Sequence, residues 1–567
     1  MENQNVICID SAEALQKLRE APNGHFRLTA DIDLKGEDWA PVDFNGILEG
    51  NGKRISHFRI TRATEAGCQG FFGCLETAAQ ISDLTITYLT VVPAENACCI
   101  GALAGVNRGK LSGCTVGEDA PYQPTVRGNR NALTGFCDES EIYASRNEKA
   151  CVGAIAGINT GLITDARSYL RLLGSHQGLC GRNSGQAQGL YRDVSHRSDL
   201  LPQRAIAMRE KIVAHMRAMG DFRWIPQKDM CFTSAYSSTQ KVYERDSLHY
   251  GLPYTQKYGS LERAQYCLQV DRKVADWLPA FSDAAPEAQG CEVTPWDVYL
   301  GNDCSGAVYW SWQRACPSVS FGFTGDMVPT EENQKEYGVL PIGGYEADTL
   351  MTADIIAKNG TERIAECLAM MRMGDAIIQR DDKNGHTRLA ARDPMVMRRE
   401  DGTIDPDESY LPTHEHGVGK GSSGRNSTWQ LDCRYTFREL LINYLPITNK
   451  ELLEGKDAPV ELRAEGICGP CEGRVHANYR IISTMVSMTH EVTGQTWESV
   501  QFTALDRNRH KATVRDDGFA RSTIRTAELS WHGEDLSELP AGEYRYTVSV
   551  LLGTGTTHFV CSGNCVR

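Results

Sequence analysis

The sequence predicts a multidomain, β-rich protein in three parts: a coiled parallel stack of short strands, an α+β segment that carries the chemistry, and an antiparallel sandwich. Three observations lead there. A Gly-x-Asn-x-Gly pattern recurs in the first third, helical and strand periodicities alternate from about residue 198 to about 448, and a two-residue alternation runs through the C-terminal part. The 567 residues exceed what one core organises, because domains hold roughly 100 to 200 residues each.

Composition narrows the function classes. Hydrophobic residues make up 41% of the chain and charged ones 23%, which excludes a wholly disordered or membrane-embedded chain. A formal net charge of −14 and the absence of a basic stripe argue against nucleic acid as a partner. No run approaches the roughly 18 apolar residues of a membrane span, and residues 1–15 do not read as a secretory signal. The expected location is extracellular or on the cell surface if a signal has been removed, and cytoplasmic otherwise. Most of the 20 cysteines stand singly in apolar or Gly-rich segments, as Cys74, Cys151, Cys180 and Cys367 do, and read as buried small hydrophobes.

In the N-terminal third, Gly105-Val106-Asn107-Arg108-Gly109, Gly157-Ile158-Asn159-Thr160-Gly161 and Gly181-Arg182-Asn183-Ser184-Gly185 form an internal repeat. The last two copies start 24 positions apart (181 − 157) and the first two 52 apart (157 − 105), close to twice that spacing. Such a period points to a solenoid, with Gly and Asn expected to supply left-handed corners. The segment Ile81-Ser82-Asp83-Leu84-Thr85-Ile86 reads as one of its strands. Phe44-Asn45-Gly46-Ile47-Leu48-Glu49-Gly50-Asn51-Gly52 and Gly70-Phe71-Phe72-Gly73, with the Gly-x-Asn-x-Gly copies, resemble the GLUG-type repeats of bacterial surface proteins. The resemblance covers residues 7–193 and implies a right-handed parallel β-helix over 1–195. It implies either a stalk that contacts cell-surface glycan or a spacer without a ligand.

Residues 196–447 are expected to form the second domain. Residues 202–219 place Ile206, Ile212, Val213, Met216 and Met219 on one helical face, with Gly220 as the stop. Ser260 is expected to cap a helix over 261–269. The segment Asn302-Asp303-Cys304-Ser305-Gly306 then enters a helix at the cysteine, with Asp303 as N-cap. Unpaired amides at a helix start favour a thiolate, the attacking species, and can receive an oxyanion. The candidate base is His386. It follows a strand over 374–379 and the hairpin signal Asp381-Asp382-Lys383-Asn384-Gly385, and it opens the returning strand. A strand over 409–416 offers Glu415 as the group that orients the imidazole, with His414 and His416 as rivals on the opposite face. His414-Glu415-His416 lacks both a nearby cysteine and a His-Glu-x-x-His helix, so neither a metal nor another cofactor is expected there.

This order of D-C-S-G at a helix start, a helix over 361–373, an apolar strand and G-H resembles the NlpC family of bacterial cell-wall cysteine peptidases across residues 250–446. The resemblance implies a papain-like fold and hydrolysis of amide bonds in peptidoglycan stem peptides through a thioester. Cys304 would be the nucleophile, His386 the base, Glu415 the third member, and Tyr254, Asp303 and Ser305 substrate-binding. Two departures stand out. Gly251-Leu252-Pro253-Tyr254 matches a family element but lies 50 positions ahead of Cys304 (304 − 254), and the connection from the His386 strand to Glu415 is enlarged. A peptide other than peptidoglycan is an alternative substrate. A thiol acyltransferase, and an adhesive or glycan-binding protein with an inactive hydrolase module, are the alternative functions.

Residues 448–567 read as all strand. Tyr544, Tyr546, Val548 and Val550 share a face after the turn at Pro540-Ala541-Gly542, and a β-sandwich accessory domain is expected. Cys468-Gly469-Pro470-Cys471, with Cys561 and Cys565, could be free thiols, a disulfide pair or a metal site; no βαβ unit surrounds the motif to make it a redox pair.

Overall fold

The computed structural model describes residues 6–119, 139–174, 178–225, 230–233, 240–254, 259–270, 301–417, 427–456, 458–468, 472–502, 525–530 and 539–567. They form a multidomain, predominantly β protein of parallel and antiparallel sheets with few helices. The chain divides into two compact units. One is Met1–Arg197 with Pro394–Tyr410, and the other is Ser198–Asp393 with Leu411–Arg567.

The first unit is built by stacking short strands in parallel. Val42–Phe44, Phe72–Leu75, Ala104–Asn107, Ala156–Asn159 and Cys180–Asn183 make one sheet, and Ile47–Glu49, Gln80–Ser82, Lys110–Ser112, Leu162–Ser168 and Gln186–Asp193 run through another. Side chains of these strands, among them Phe44, Phe72, Ile81, Leu111 and Ile163, join one continuous apolar core with Phe26. The repeat is in register, because Asn107 lies opposite Asn159 and Asn159 opposite Asn183. Their side-chain amides form a ladder. Asn107 Nδ2 donates to Asn159 Oδ1 over 2.8 Å, and Asn159 Nδ2 donates to Asn183 Oδ1 over 2.9 Å. Asn107 and Asn159 are fully buried, so the ladder partners both ends of the middle asparagine's amide, while the Asn107 oxygen, at the end of the ladder, is enclosed without a partner.

Two expectations about this unit need correction. The 52-residue interval is one step of the stack and not two, since Ala104–Asn107 pairs directly with Ala156–Asn159; the extra length falls in the connection between them. The repeat glycines also do not supply left-handed corners. Positive φ occurs instead at residues such as Asn51, Asp83, Gly113 and Asp165. A Cβ on Gly157 would stand 2.4 Å from the backbone nitrogen of Ile100, and one on Gly185 would stand 2.2 Å from the carbonyl oxygen of Gly161. Glycine is required here by the close approach of neighbouring backbone.

Cysteines follow the same stacking, with Cys68, Cys99 and Cys151 opposite one another on three adjacent strands. No disulfide joins any two of the fourteen cysteines whose side chains are described, Cys561 and Cys565 among them. Residues 469–471 lie outside the described residues, and so does the side chain of Cys468. The segment Pro394–Tyr410 completes the unit. Its strand Val396–Arg399 pairs antiparallel with Gln186–Asp193, while Met395, Met397 and Tyr410 form a small apolar cluster against Tyr169 and Leu190.

The second unit is organised by a six-stranded sheet in the order Val339–Pro341, Leu445–Asn449, Ala376–Arg380, Gly385–Ala390, Tyr410–His416, Trp429–Thr436. The registered neighbours are antiparallel. The helices Gln203–Asp221 and Cys304–Trp312 pack on each other and on the Gly385–Ala390 strand, burying Met208, Ile212, Met216, Trp310 and Trp312. The first helix continues through Gly220. The glycine stands in the last turn, one residue before the helix ends at Asp221, and a Cβ there would meet the end of the Leu431 side chain at 2.9 Å. Arg209, on the buried face, pairs with Asp375 over 2.9 Å, and Thr448 donates to the same carboxylate over 2.6 Å. Ser260 caps the helix Leu261–Val270 by accepting from the Arg263 amide over 3.2 Å.

The pattern does not turn to strand alone after Pro446. Pro446 lies inside the strand Leu445–Asn449 of this sheet, and the short helix Lys450–Glu454 follows. Beyond it are two antiparallel sheets, one of Leu462–Cys468, Glu472–Ala477 and Arg525–Ser530, the other of Thr496–Phe502, Ile481–His490, Glu543–Leu552 and Thr557–Val566. Val475 and Ala477 of the first share a core with Val486, Tyr544, Val548 and Val550 of the second. Among the described residues no helix is long and apolar enough to cross a membrane.

Candidate active site

Cys304 opens its helix, and the reason is local. Asp303 has extended backbone and accepts from the Gly306 amide over 2.7 Å, satisfying one of the four amides left over at a helix start. Ser305 Oγ donates to the same Asp303 oxygen over 2.9 Å. Both side chains are buried and brace the helix start, although substrate contact is what the sequence suggests for them.

The imidazole arrives on the neighbouring strand. Asp381 Oδ1 accepts from the amides of Lys383 and Asn384 over 2.8 and 2.6 Å, which closes the hairpin and returns the chain into Gly385–Ala390 with His386 in its second position. His386 Nε2 donates to Glu415 Oε2 over 2.6 Å. Cys304 lies close enough to the ring to raise its pKa, and because Nε2 is taken by Glu415, Nδ1 is the nitrogen left to face the sulfur. Three separate elements thus bring a thiol, an imidazole and a carboxylate together, the last two in direct contact.

Electrostatics favour a charged ring. Burial opposes the imidazolium, but the hydrogen bonds and charges of Cys304 and Glu415 outweigh it and lift His386 to about 9. Burial likewise raises Glu415, and there the hydrogen bond and charge of His386, with the charge of Arg388 and the hydroxyl of Tyr435, win and hold the carboxyl at about 2. Glu415 is 4% exposed and His386 23%, so the carboxylate is enclosed while the ring keeps an open side.

The two rival histidines serve elsewhere, on the opposite face of the strand. His416 is fully buried, donates from Nδ1 to Asn302 Oδ1 over 3.0 Å, accepts from Thr428 Oγ1 over 2.9 Å and stacks on Trp429. Burial first, and then the charge of His386, hold it well below the ordinary histidine value. His414 accepts from the Asp432 amide over 3.1 Å, and burial brings it down to about 4. Both rings are neutral at physiological pH.

Tyr254 reaches the site despite its distance in sequence. Its backbone bridges to Asn302, the Asn302 amide donates to the Pro253 carbonyl over 3.2 Å, and its ring meets His416 edge-on at 5.0 Å. Residues 271–300, most of the intervening insertion, lie outside the described residues. Sequence reasoning did not single out Arg388, Tyr435 and Tyr444. Arg388 Nε donates to Glu415 Oε2 over 2.7 Å, Tyr435 donates to Glu415 Oε1, and the Arg388 guanidinium lies over the rings of Tyr435 and Tyr444 at 4.0 and 4.4 Å. Two-residue alternation from His386 could have identified Arg388, since i and i+2 share a face. Among the described residues no group of three or more His, Cys, Asp or Glu is arranged to hold a metal ion.

No protein-family model matches the chain, and no solved structure matches it. Among curated proteins, Halomucin of Haloquadratum walsbyi is 30% identical over 172 residues, which cover 27% of this chain and 2% of that protein. The chain thus spans a very small part of the relative it matches, and the activity has to be argued from the site.

Proposed function

We propose that the second unit is a cysteine peptidase or amidase with a papain-like, NlpC-type core, and that it cleaves amide bonds in peptidoglycan stem peptides. The observation that carries this reading is the placement of His386 between the thiol of Cys304 and the carboxylate of Glu415. The thiolate attacks the scissile carbonyl carbon, and amides at the helix start receive the oxyanion. Collapse of this adduct breaks the C–N bond as His386 Nδ1–H protonates the leaving amine, leaving a thioester on Cys304. The neutral imidazole then takes a proton from water, the hydroxide attacks the thioester, and the carboxylic acid leaves as the cysteine is restored. Glu415 holds the ring by its other nitrogen throughout. The D-C-S-G and G-H motifs support the family, and stem peptides are the substrate class which that resemblance implies. In the same reading the first unit is a right-handed parallel β-helix of GLUG-like repeats and the C-terminal sheets are a β-sandwich accessory domain.

The test is digestion of purified peptidoglycan followed by mass analysis of the released fragments. Stem-peptide fragments that have gained water, lost in Cys304→Ala, are expected. Products joined to an added amine would indicate acyl transfer instead. No cleavage, together with alkylation of Cys304 no faster than that of the other thiols, would leave the adhesive reading standing.

A further inference from the structure

Carboxylate assistance creates a difficulty for the chemistry proposed above. An imidazolium held too firmly by an anion is a poor acid towards a leaving amine, because general-acid efficiency falls as the pKa rises past the working pH. Glu415 is such an anion, enclosed and 2.6 Å from the ring. A fixed cation shares it. Pairing of Leu389 with His414 and of Ala390 with Thr413 places Arg388 directly across from Glu415, and Arg388 Nε meets the same oxygen, Oε2, that His386 uses. The guanidinium does not titrate, is 13% exposed, and is held in place by the two tyrosine rings, while the Tyr435 hydroxyl occupies the other carboxylate oxygen.

We infer that Arg388 is a positioning residue which draws off part of the Glu415 charge, keeping His386 acidic enough to return its proton, with Tyr435 and Tyr444 as the clamp that fixes it. The inference rests on the hydrolase reading but is tested separately from it. Cys304 from the helix and Glu415 from the neighbouring strand act on His386 directly; neutral His416 and Tyr444 stand nearby, Gln379 lies opposite on the hairpin, and Arg388 acts through Glu415. None of the others is a fixed cation.

The experiment is an NMR titration of the His386 ring in the full chain, with the pH profile of Cys304 alkylation by iodoacetamide alongside. In Arg388→Gln, which keeps a planar group between the rings and removes the charge, the His386 midpoint should rise by about one pH unit, and the alkaline end of the alkylation profile should move with it. Arg388→Lys, which keeps the charge, should stay near the wild-type midpoint, and any residual activity should be higher than in Arg388→Gln. An unchanged midpoint in folded Arg388→Gln, or an equal rise in Arg388→Lys, overturns the charge role. A purely structural ion pair would change the melting temperature without moving the midpoint. Failure of the hydrolase reading appears differently, as slow Cys304 alkylation in the wild-type chain, and leaves the ring titration readable.

Discussion

Two rows of polar contacts cross this molecule, and they do opposite things. In the first unit Asn107, Asn159 and Asn183 repeat one neutral group along the stack, each amide able to donate and accept, so no member differs in its hold on a proton. In the second unit Cys304, His386, Glu415 and Tyr435 form a row of unlike groups in which the carboxyl is held at about 2 and the imidazole at about 9. Identical neighbours repeat one contact along a stack, whereas unlike neighbours give a gradient along which a proton can move. Repetition suits a scaffold and asymmetry suits a reaction.

The comparison can be tested from both ends. The largest expected effect is on the reactive row: His386→Ala should slow amide hydrolysis by about 10² to 10⁴ fold, measured against a stem-peptide substrate, with the far-UV spectrum retained. Next is a buried charge pair that lacks such a gradient. Arg209→Ala leaves Asp375 enclosed without its ionic partner and should cost about 3 to 5 kcal/mol in denaturant unfolding of the second unit. Asn159→Ala removes the middle of the ladder and should cost about 1 to 3 kcal/mol, without altering the alkylation rate of Cys304. The smallest effect is at the helix start, where Asp303→Ala removes the cap for about 1 kcal/mol and should also slow the alkylation of Cys304.

The pH dependence separates the rows again. The His386 value is raised from 6.5 to about 9, so its contribution to stability is fully present below about 6.5 and is lost as pH rises through about 9. Glu415 is depressed from 4.5 to about 2, so its contribution is present above about 4.5 and is lost as pH falls through about 2. Melting temperature followed against pH should therefore decline above about 7 in the wild-type chain and decline less in His386→Asn; equal profiles would contradict the coupling. Turnover should decline towards the same upper limit, as the ring loses the proton it gives to the leaving amine.

How far the sequence could be read differs between the rows for a physical reason. The stack is local repetition, so Gly-x-Asn-x-Gly identified it directly; the fault was in the roles given to its residues, because the asparagine pairing and the glycines' need for space become visible only when a neighbouring strand is in place. Asp303 and Cys304 at a helix start, and His386 after a hairpin, were legible because caps and turns act over three or four residues. The choice of Glu415 over His414 and His416 followed from the charge a carboxylate offers a protonated ring, with alternation putting the two histidines on the other face. Arg388, Tyr435 and Tyr444 were not found, because their roles depend on strand register and on a cation meeting two rings distant in sequence. The boundary at 448 was misplaced for a related reason: the strand Leu445–Asn449 runs across it because its neighbours in the sheet hold it there.

The antiparallel strand Val396–Arg399 has a further consequence. A parallel stack ends in a row of open peptide groups that can recruit the next molecule in the same sense, the route by which such architectures grow into fibres. A strand laid in the reverse sense on residues 190–193 covers that part of the edge and offers an incoming coil the wrong polarity there, while Cys180–Asn183 remains the last strand of its sheet. Because this stopper is encoded inside the connection between the strands bearing His386 and Glu415, trimming that connection would put solubility and catalysis at risk together.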